Sequence, residues 1–274
     1  MRPIIDVLNI LLPLLYALIV WMYAKNFFMD APLHKNLQTY FLIPAIFLHA
    51  VYLFLRTEEF DHPPITTIYE IMTLISFAIA VVYVMIEFVI NVKGTGFFIL
   101  LLSFLFQLIS SIFIADLLEV KSVLRNKFLG VHVSSALIGY VGLALAAMYG
   151  FLYLMLYHNI KAKRFNAYYT KLPNLEILER MTTISITIGF IFLGIAIAIG
   201  MVWLPKAFEK FTYLDPKLLI TICIWVIYGI GLMAKRYKGL TGRRFMMLAI
   251  SGFVVALISL TFGNLYFTDF HNFY

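Results

Sequence analysis

Long apolar runs separated by short polar connections make up most of the chain. Eight of these runs are long enough to cross a bilayer, since a membrane-spanning helix needs about 20 apolar residues. They lie near residues 4–24, 38–56, 66–91, 97–115, 129–157, 182–202, 218–234 and 244–266. None alternates in polarity, as the strands of about ten residues in a membrane β-barrel do. We therefore predict an all-α polytopic membrane protein with eight transmembrane helices, folded as a single integral-membrane domain over residues 1–274.

The composition supports this prediction and excludes several classes of protein. Hydrophobic residues make up 63% of the chain and charged residues 13%, whereas a soluble domain carries about 25% charged residues. A water-soluble enzyme, a disordered chain and a nucleic-acid-binding domain are therefore excluded. The single cysteine, Cys223, excludes a disulfide framework and a cysteine metal cluster. Because it lies in an apolar run, we expect it to be a small buried hydrophobic residue.

The net charge of +7 divides unevenly between the two sides of the membrane. If the N-terminus lies outside, the inner segments carry 13 of the 21 Lys and Arg residues but 4 of the 14 acids. The inner side is then +9 and the outer side −2. Since Lys and Arg favour the cytoplasmic side, we predict that both termini are extracytoplasmic in a multi-pass protein of the plasma membrane.

Two predicted loops are longer than the others. The inner loop, near 158–181, contains the sequence LPNLEILER. Pro173 and Asn174 are typical of a helix start, and the apolar residues after them predict an interfacial helix on the membrane surface. The outer loop, 203–217, mixes aromatic residues with lysines, which is typical of an interfacial belt.

The histidines are the most informative polar residues. His132 opens the fifth span and His271 follows the eighth, so the topology places both at the outer surface. Two neutral imidazoles on opposite sides of a flat macrocycle are what a bis-His heme iron requires, although two such residues also occur incidentally at interfaces. His49 lies within the second span, about 10 Å below its outer end, and either bonds a neighbouring helix or binds metal. His62 lies in an outer loop and is expected to be solvated.

The carboxylates give little sign of ion transport. Glu70 and Glu87 lie near helix ends, where side chains can reach the polar headgroups, so we expect structural roles for both. No acid lies near the middle of a span, which argues against an ion-coupled transporter. Gln107, Tyr140 and Tyr228 are expected to make hydrogen bonds between helices.

Several segments of the chain resemble a known family. Span 2 and the loop after it read LHAVYLFLR and PPITTIYE, and span 5 opens with GVHVSSALIGY. Then follow LPNLEILER, IGFIFLGIAIAIGMVW, LDPK, IWVIYGIGL and FGNLYFTDFHNFY. In order and spacing these segments are similar to the heme-handling proteins of cytochrome c assembly, the CcsA/CcmC group, and specifically to its HemX-like branch.

The resemblance implies a heme site and its ligands. His132 and His271 match the two histidines that flank heme b at the extracytoplasmic surface, as axial ligands of its iron. His49 matches a histidine associated with a second heme position or an entry route. The family partner of that histidine is replaced here by Met233. Since Met233 lies near the inner end of its span and His49 nearer the outer end, their depths argue against a shared heme.

The resemblance also implies a function. Family members that attach heme carry a tryptophan-rich outer loop, whereas only Trp203 is present here. This favours a heme-binding protein that handles, exports or senses heme, and that is not itself an enzyme. Arg125 and Lys206 are the basic residues expected to hold the heme propionates.

Two alternatives to this function remain open. The first is a regulatory scaffold that controls a cytoplasmic heme-biosynthesis enzyme, glutamyl-tRNA reductase. The second is a cytochrome c synthase subunit. The expected partners are heme, the lipid bilayer, and either a cytochrome c assembly protein or that biosynthetic enzyme.

Overall fold

The protein is described by a computed structural model. Its described residues are 1–29, 37–116, 120, 122–163, 172–207, 213 and 216–266. Within these ranges, the side chains of 122, 123, 206, 207, 216, 217 and 260–266 are outside the description.

The described residues form helices, turns and loops, and eight of the helices are long and apolar enough to cross a membrane. The helices are α1 (Arg2–Phe28), α2 (Leu37–Phe60), α3 (Ile68–Ile90), α4 (Gly96–Phe113), α5 (Lys127–Lys161), α6 (Leu175–Ala207), α7 (Pro216–Lys238) and α8 (Gly242–Tyr266). The prediction of an all-α polytopic membrane protein with eight spans is therefore confirmed. The orientation of its termini stays a prediction from the loop charges.

Polar side chains set several helix ends. The Thr67 hydroxyl accepts the Glu70 amide at 3.1 Å and caps α3. Asn174 Oδ1 accepts the Ile177 amide at 2.8 Å at the start of α6, which confirms the predicted helix start. At its other end α3 stops at Asn91, whose φ of 55° is left-handed.

The segment after Asn174 is not a separate interfacial helix. It forms the first turns of α6, which runs without interruption from Leu175 to Ala207. No glycine or proline interrupts the sequence from 175 to 188, and Leu178 and Met181 are fully buried. The prediction of a surface helix was wrong because these apolar side chains pack inside the protein.

The chain forms two compact units, residues 1–130 and 131–274. In the first unit α1 contacts α2 and α4, and α3 contacts α2 and α4, so the four helices close into a ring. Tyr16, Ile19 and Leu42 are fully buried in this unit. The prediction that the whole chain is one domain stays a prediction.

The second unit depends on small residues. In it α7 contacts both α6 and α8. Helix α5 approaches α6 so closely that a Cβ on Gly142 would lie 2.7 Å from the backbone nitrogen of Gly189. Small residues at such a crossing let helices pack in a membrane by van der Waals contact.

Large apolar side chains, among them Phe47 and Phe54, are exposed on the outside of the spans. In a bilayer they would contact the lipid hydrocarbon. Cys223 is also exposed, so the prediction that it is buried was wrong. It lies on α7, a helix whose apolar residues are mostly outside the core.

Replacing Gly142 by Val should destabilise the second unit. The added side chain would collide with backbone atoms of α6, and overpacking of this kind costs about 1–3 kcal/mol. We expect a lower midpoint of thermal unfolding in detergent. Phe151→Val places the same residue on the exposed face of α5 and should leave the midpoint nearly unchanged. Equal midpoints for the two variants would contradict the close crossing of α5 and α6.

Candidate functional site

His132 is held by a backbone carbonyl of the neighbouring helix. It lies in the first turns of α5 and is half-buried, and its Nδ1 is 2.8 Å from the carbonyl oxygen of Ala196 on α6. A carbonyl oxygen only accepts hydrogen bonds, so Nδ1 is the protonated nitrogen of the ring. In the neutral imidazole Nε2 then carries the lone pair, which is the form that binds a metal.

A glycine one turn further along α6 makes room for this ring. A Cβ on Gly200 would lie 3.0 Å from Cε1 of His132 and 3.3 Å from its Nδ1. A side chain at position 200 would therefore force the imidazole to shift relative to the Ala196 carbonyl. Gly200, the last residue of the segment GIAIAIG, therefore leaves the space that the His132 ring occupies.

Three other residues are predicted to hold heme at the outer face. Two of them have side chains outside the described residues, and the third belongs to the first unit. His271 and the side chain of Lys206 are outside the described residues, although Lys206 itself belongs to the last turn of α6. Arg125 ends a short 3₁₀ turn, Ser122–Arg125, in the first unit. Its guanidinium is 3.2 Å from Asp61 Oδ2, and its side chain is 45% exposed. The grouping of these residues around a heme stays a prediction.

His49 lies in the core of the first unit and is fully buried. Its Nδ1 is 3.0 Å from the Tyr16 hydroxyl, and its Nε2 is 2.8 Å from Thr73 Oγ1. Thr73 donates its single hydroxyl proton to Gln107 Oε1 at 2.7 Å, so it must accept from His49. His49 is thus protonated on Nε2, and its Nδ1 accepts from Tyr16.

Both ring nitrogens of His49 are therefore engaged within the four-helix unit. Its only lone pair, on Nδ1, accepts the Tyr16 hydroxyl. Iron binding at His49 would require that hydrogen bond to break and the buried hydroxyl to find another partner. Met233, which the resemblance pairs with a histidine of the family, lies on α7 with 61% of its surface exposed.

The hydrogen bonds of His49 continue through the first unit. Gln107 Nε2 donates to Ser111 Oγ at 3.0 Å, and Asn9 Nδ2 donates to the Ser111 carbonyl at 3.0 Å. Asn9 Oδ1 in turn accepts the Tyr52 hydroxyl at 3.0 Å. The network joins all four helices of the unit and confirms the interhelical role predicted for Gln107.

The predicted role of Tyr228 is confirmed in the second unit, where its hydroxyl donates to the Ala249 carbonyl at 3.0 Å.

Arg56 and Glu70 form a buried ion pair that the sequence analysis missed. Arg56 Nη2 is 3.3 Å from Glu70 Oε1, and both side chains are almost completely buried. The other carboxylate oxygen of Glu70 accepts the Thr66 amide at 2.8 Å and the Thr66 hydroxyl at 2.6 Å. Glu70 therefore faces inward and fastens the α2–α3 loop, so its expected structural role is confirmed, with partners in the protein and not in the headgroups.

His62 in the same loop is also buried, with 2% of its surface exposed. Its Nδ1 donates to the Pro63 carbonyl at 3.0 Å. A Cβ on Gly130 would lie 2.7 Å from Pro63, so this loop packs tightly on the start of α5. The prediction that His62 is solvated was wrong because its loop folds onto the helices.

Glu87 is the corresponding buried carboxylate at the other end of the first unit. It accepts the Tyr23 hydroxyl at 2.5 Å and also the Thr39 hydroxyl. Lys93 Nζ lies 3.9 Å away. Like Glu70, Glu87 faces the other helices, so its expected structural role is confirmed with partners inside the protein.

Comparisons with known proteins point to one family. A family profile described as "Cytochrome C assembly protein" matches residues 65–271. The chain is 25% identical to "Cytochrome c biogenesis protein CcsA" of Mesostigma viride over 251 residues, 83% of this chain and 82% of the relative. It is 23% identical to "Protein HemX" of Brevibacillus brevis over 226 residues, 82% of each. With "Protein HemX" of Bacillus subtilis it shares 24% over 136 residues, about half of each chain.

Thr73→Val should destabilise the first unit. The substitution keeps the shape of the side chain but leaves the Nε2 proton of buried His49 and Oε1 of Gln107 without their partner. A buried polar group without a partner costs about 1–3 kcal/mol. Thr73→Ser keeps the hydroxyl and should unfold closer to the wild type than Thr73→Val does. Unfolding in detergent measures both, and a Val variant as stable as the Ser variant would contradict the network.

Proposed function

The chain belongs to the cytochrome c assembly protein family, and from that membership we propose that it binds heme b with His132 and His271 as axial ligands. In this proposal the protein handles, exports or senses heme at the extracytoplasmic face of the plasma membrane. Its role lies in cytochrome c assembly or heme homeostasis. The chain itself forms and breaks no covalent bond.

The surroundings of His132 support the proposal. The Ala196 carbonyl accepts a hydrogen bond from Nδ1, and Gly200 leaves the space in which the ring packs against α6. A histidine whose second nitrogen is hydrogen-bonded to a carbonyl is fixed in orientation and is a better donor to a metal. These contacts give the imidazole the tautomer and the fixed orientation that a metal ligand needs.

Heme supplies an iron atom that two imidazoles hold in a low-spin, redox-active state. The remaining tasks fall to the chain. His132 and His271 would orient the macrocycle, and Lys206 would offer a propionate a charge-assisted hydrogen bond. Arg125, which pairs with Asp61, is the second proposed propionate partner. It would bind a propionate in place of the Asp61 carboxylate.

His49 has a different place in this proposal. A second heme position at His49 stays a prediction, since its one lone pair accepts the Tyr16 hydroxyl. The measurement that decides it is heme stoichiometry. If His49→Ala binds as much heme per chain as the wild type, His49 belongs to the hydrogen-bond network alone.

A cytochrome c synthase subunit is the second candidate function. The observation that favours it is the match to relatives named for cytochrome c biogenesis over most of their length. The poor tryptophan content of the 203–217 segment favours heme handling without attachment. Thioether formation with an apocytochrome, in the presence of a partner membrane protein, would establish the synthase.

His132→Ala and His271→Ala should each abolish low-spin heme binding, because a six-coordinate bis-His iron needs both imidazoles. The absorption spectrum of the purified protein measures this, and the wild type should show a Soret band with bis-His features. His158→Ala, at an exposed helix end, is the matched control and should keep the spectrum. A colourless wild type that also fails to take up added hemin would refute the proposal.

Gly200→Ala should weaken heme binding without removing a ligand. The new Cβ displaces the imidazole from the Ala196 carbonyl, and loss of such an outer contact typically costs about 10–100-fold in metal affinity. Hemin titration measures the change. Ile195→Ala removes an exposed side chain from the same helix and should leave the affinity nearly unchanged. Equal affinities for the two variants would mean that Gly200 does not seat the ligand.

A further inference from the structure

The turn between α7 and α8 concentrates positive charge. Helix α7 ends at Lys238 and α8 begins at Gly242. The ten residues from 235 to 244 read KRYKGLTGRR, which is five cations without an acid. The net charge of the turn therefore depends on whether acids of neighbouring helices pair with these cations.

One of the five cations is neutralised within the protein. Lys235 forms an ion pair with Glu179 Oε1 of α6, and Glu179 Oε2 accepts the Gly242 amide at 3.0 Å. The same carboxylate thus holds the end of α7 and the start of α8. Gly239 and Gly242, with φ of 64° and 62°, allow the tight reversal between the two helices.

The other four cations, which we call the turn cations, point outward. They are Arg236, Lys238, Arg243 and Arg244. All four are exposed, and in the described part of the chain none forms an ion pair. Their mutual repulsion destabilises the turn, and two of them lie in the first turn of α8, where cations oppose the helix dipole. Membrane orientation accounts for their presence on this side, and their exposure leaves them available to an anion outside the protein.

The level of the turn cations in the membrane identifies the anion. Both helices are membrane spans, so the turn that joins them lies at the headgroups. Exposed apolar side chains lie one helical turn deeper, Met247 below Arg243 and Met233 below Tyr237, which is itself 79% exposed. A ligand here meets cations at its head and apolar side chains below. That is the shape of a phospholipid, whereas an acidic soluble protein would meet the cations alone.

We propose that the α7–α8 turn is a binding site for an anionic phospholipid. The turn cations bind the headgroup phosphate, and the exposed methionines contact the acyl chains. The Glu179 carboxylate contributes by fixing the turn and by keeping Lys235 out of the site. This site is independent of heme.

The test measures lipid selectivity of the full chain in bilayers. Spin-labelled phosphatidylglycerol and spin-labelled phosphatidylcholine are compared by electron spin resonance, which gives their relative association with the protein. The wild type should prefer phosphatidylglycerol, and the preference should fall as salt is raised. Each cation near a charged lipid surface is worth about five-fold in association. Arg243→Gln combined with Arg244→Gln should therefore remove most of the preference.

Two controls separate this site from general charge effects. Arg2→Gln with Lys127→Gln removes the same charge from exposed residues that already pair with Glu59 and Glu58, and it should leave the preference unchanged. Arg243→Lys with Arg244→Lys should also keep it, with an unchanged unfolding midpoint in every variant. The proposal fails if the wild type shows no preference or if the paired-cation control loses as much. It also fails if soluble polyglutamate binds the turn and the labelled lipid does not, since the partner is then an acidic protein.

Discussion

A polar side chain inside a bilayer has no water to bond, so it must find its partner in the protein. The first unit satisfies this condition in three places along its length. The Arg56–Glu70 pair lies at one end, the His49 network in the middle and Glu87 with its hydroxyl donors at the other end. Each of the three joins at least two helices. The polar groups therefore decide which helix faces meet, and the apolar side chains fill the space between them.

Hydrogen bonding inside the protein gives His132 and His49 opposite tautomers. His132 donates from Nδ1 to a carbonyl, so its Nε2 carries the lone pair. His49 donates from Nε2 to a hydroxyl and uses Nδ1 as an acceptor. Two residues of one type in one chain are thus set up for different tasks. The first form suits a ligand of heme iron, and the second suits a structural link between helices.

The spans and the place of His132 in the first turns of a span could be predicted from the sequence, because apolar length and position at a span end are local properties. The inward direction of Glu70, Glu87 and His62 could not. Each lies near a helix end, where a side chain reaches either the headgroups or the neighbouring helices, and only the three-dimensional partners decide between them. Thr66 and Arg56 decide it for Glu70, and neither partner is recognisable from spacing alone.

Backbone carbonyls in α6 extend this principle to aromatic donors. The Ala196 carbonyl accepts His132, and the Phe190 carbonyl accepts Trp225 Nε1 at 2.9 Å. A glycine follows four residues after each carbonyl, and a Cβ on Gly194 would lie 2.9 Å from the indole nitrogen. A helix carbonyl is normally covered by side chains, so the glycine is what exposes it to a ring. The repeated glycines of α6 therefore do more than let helices approach, because they create acceptors for aromatic N–H groups in a place without water.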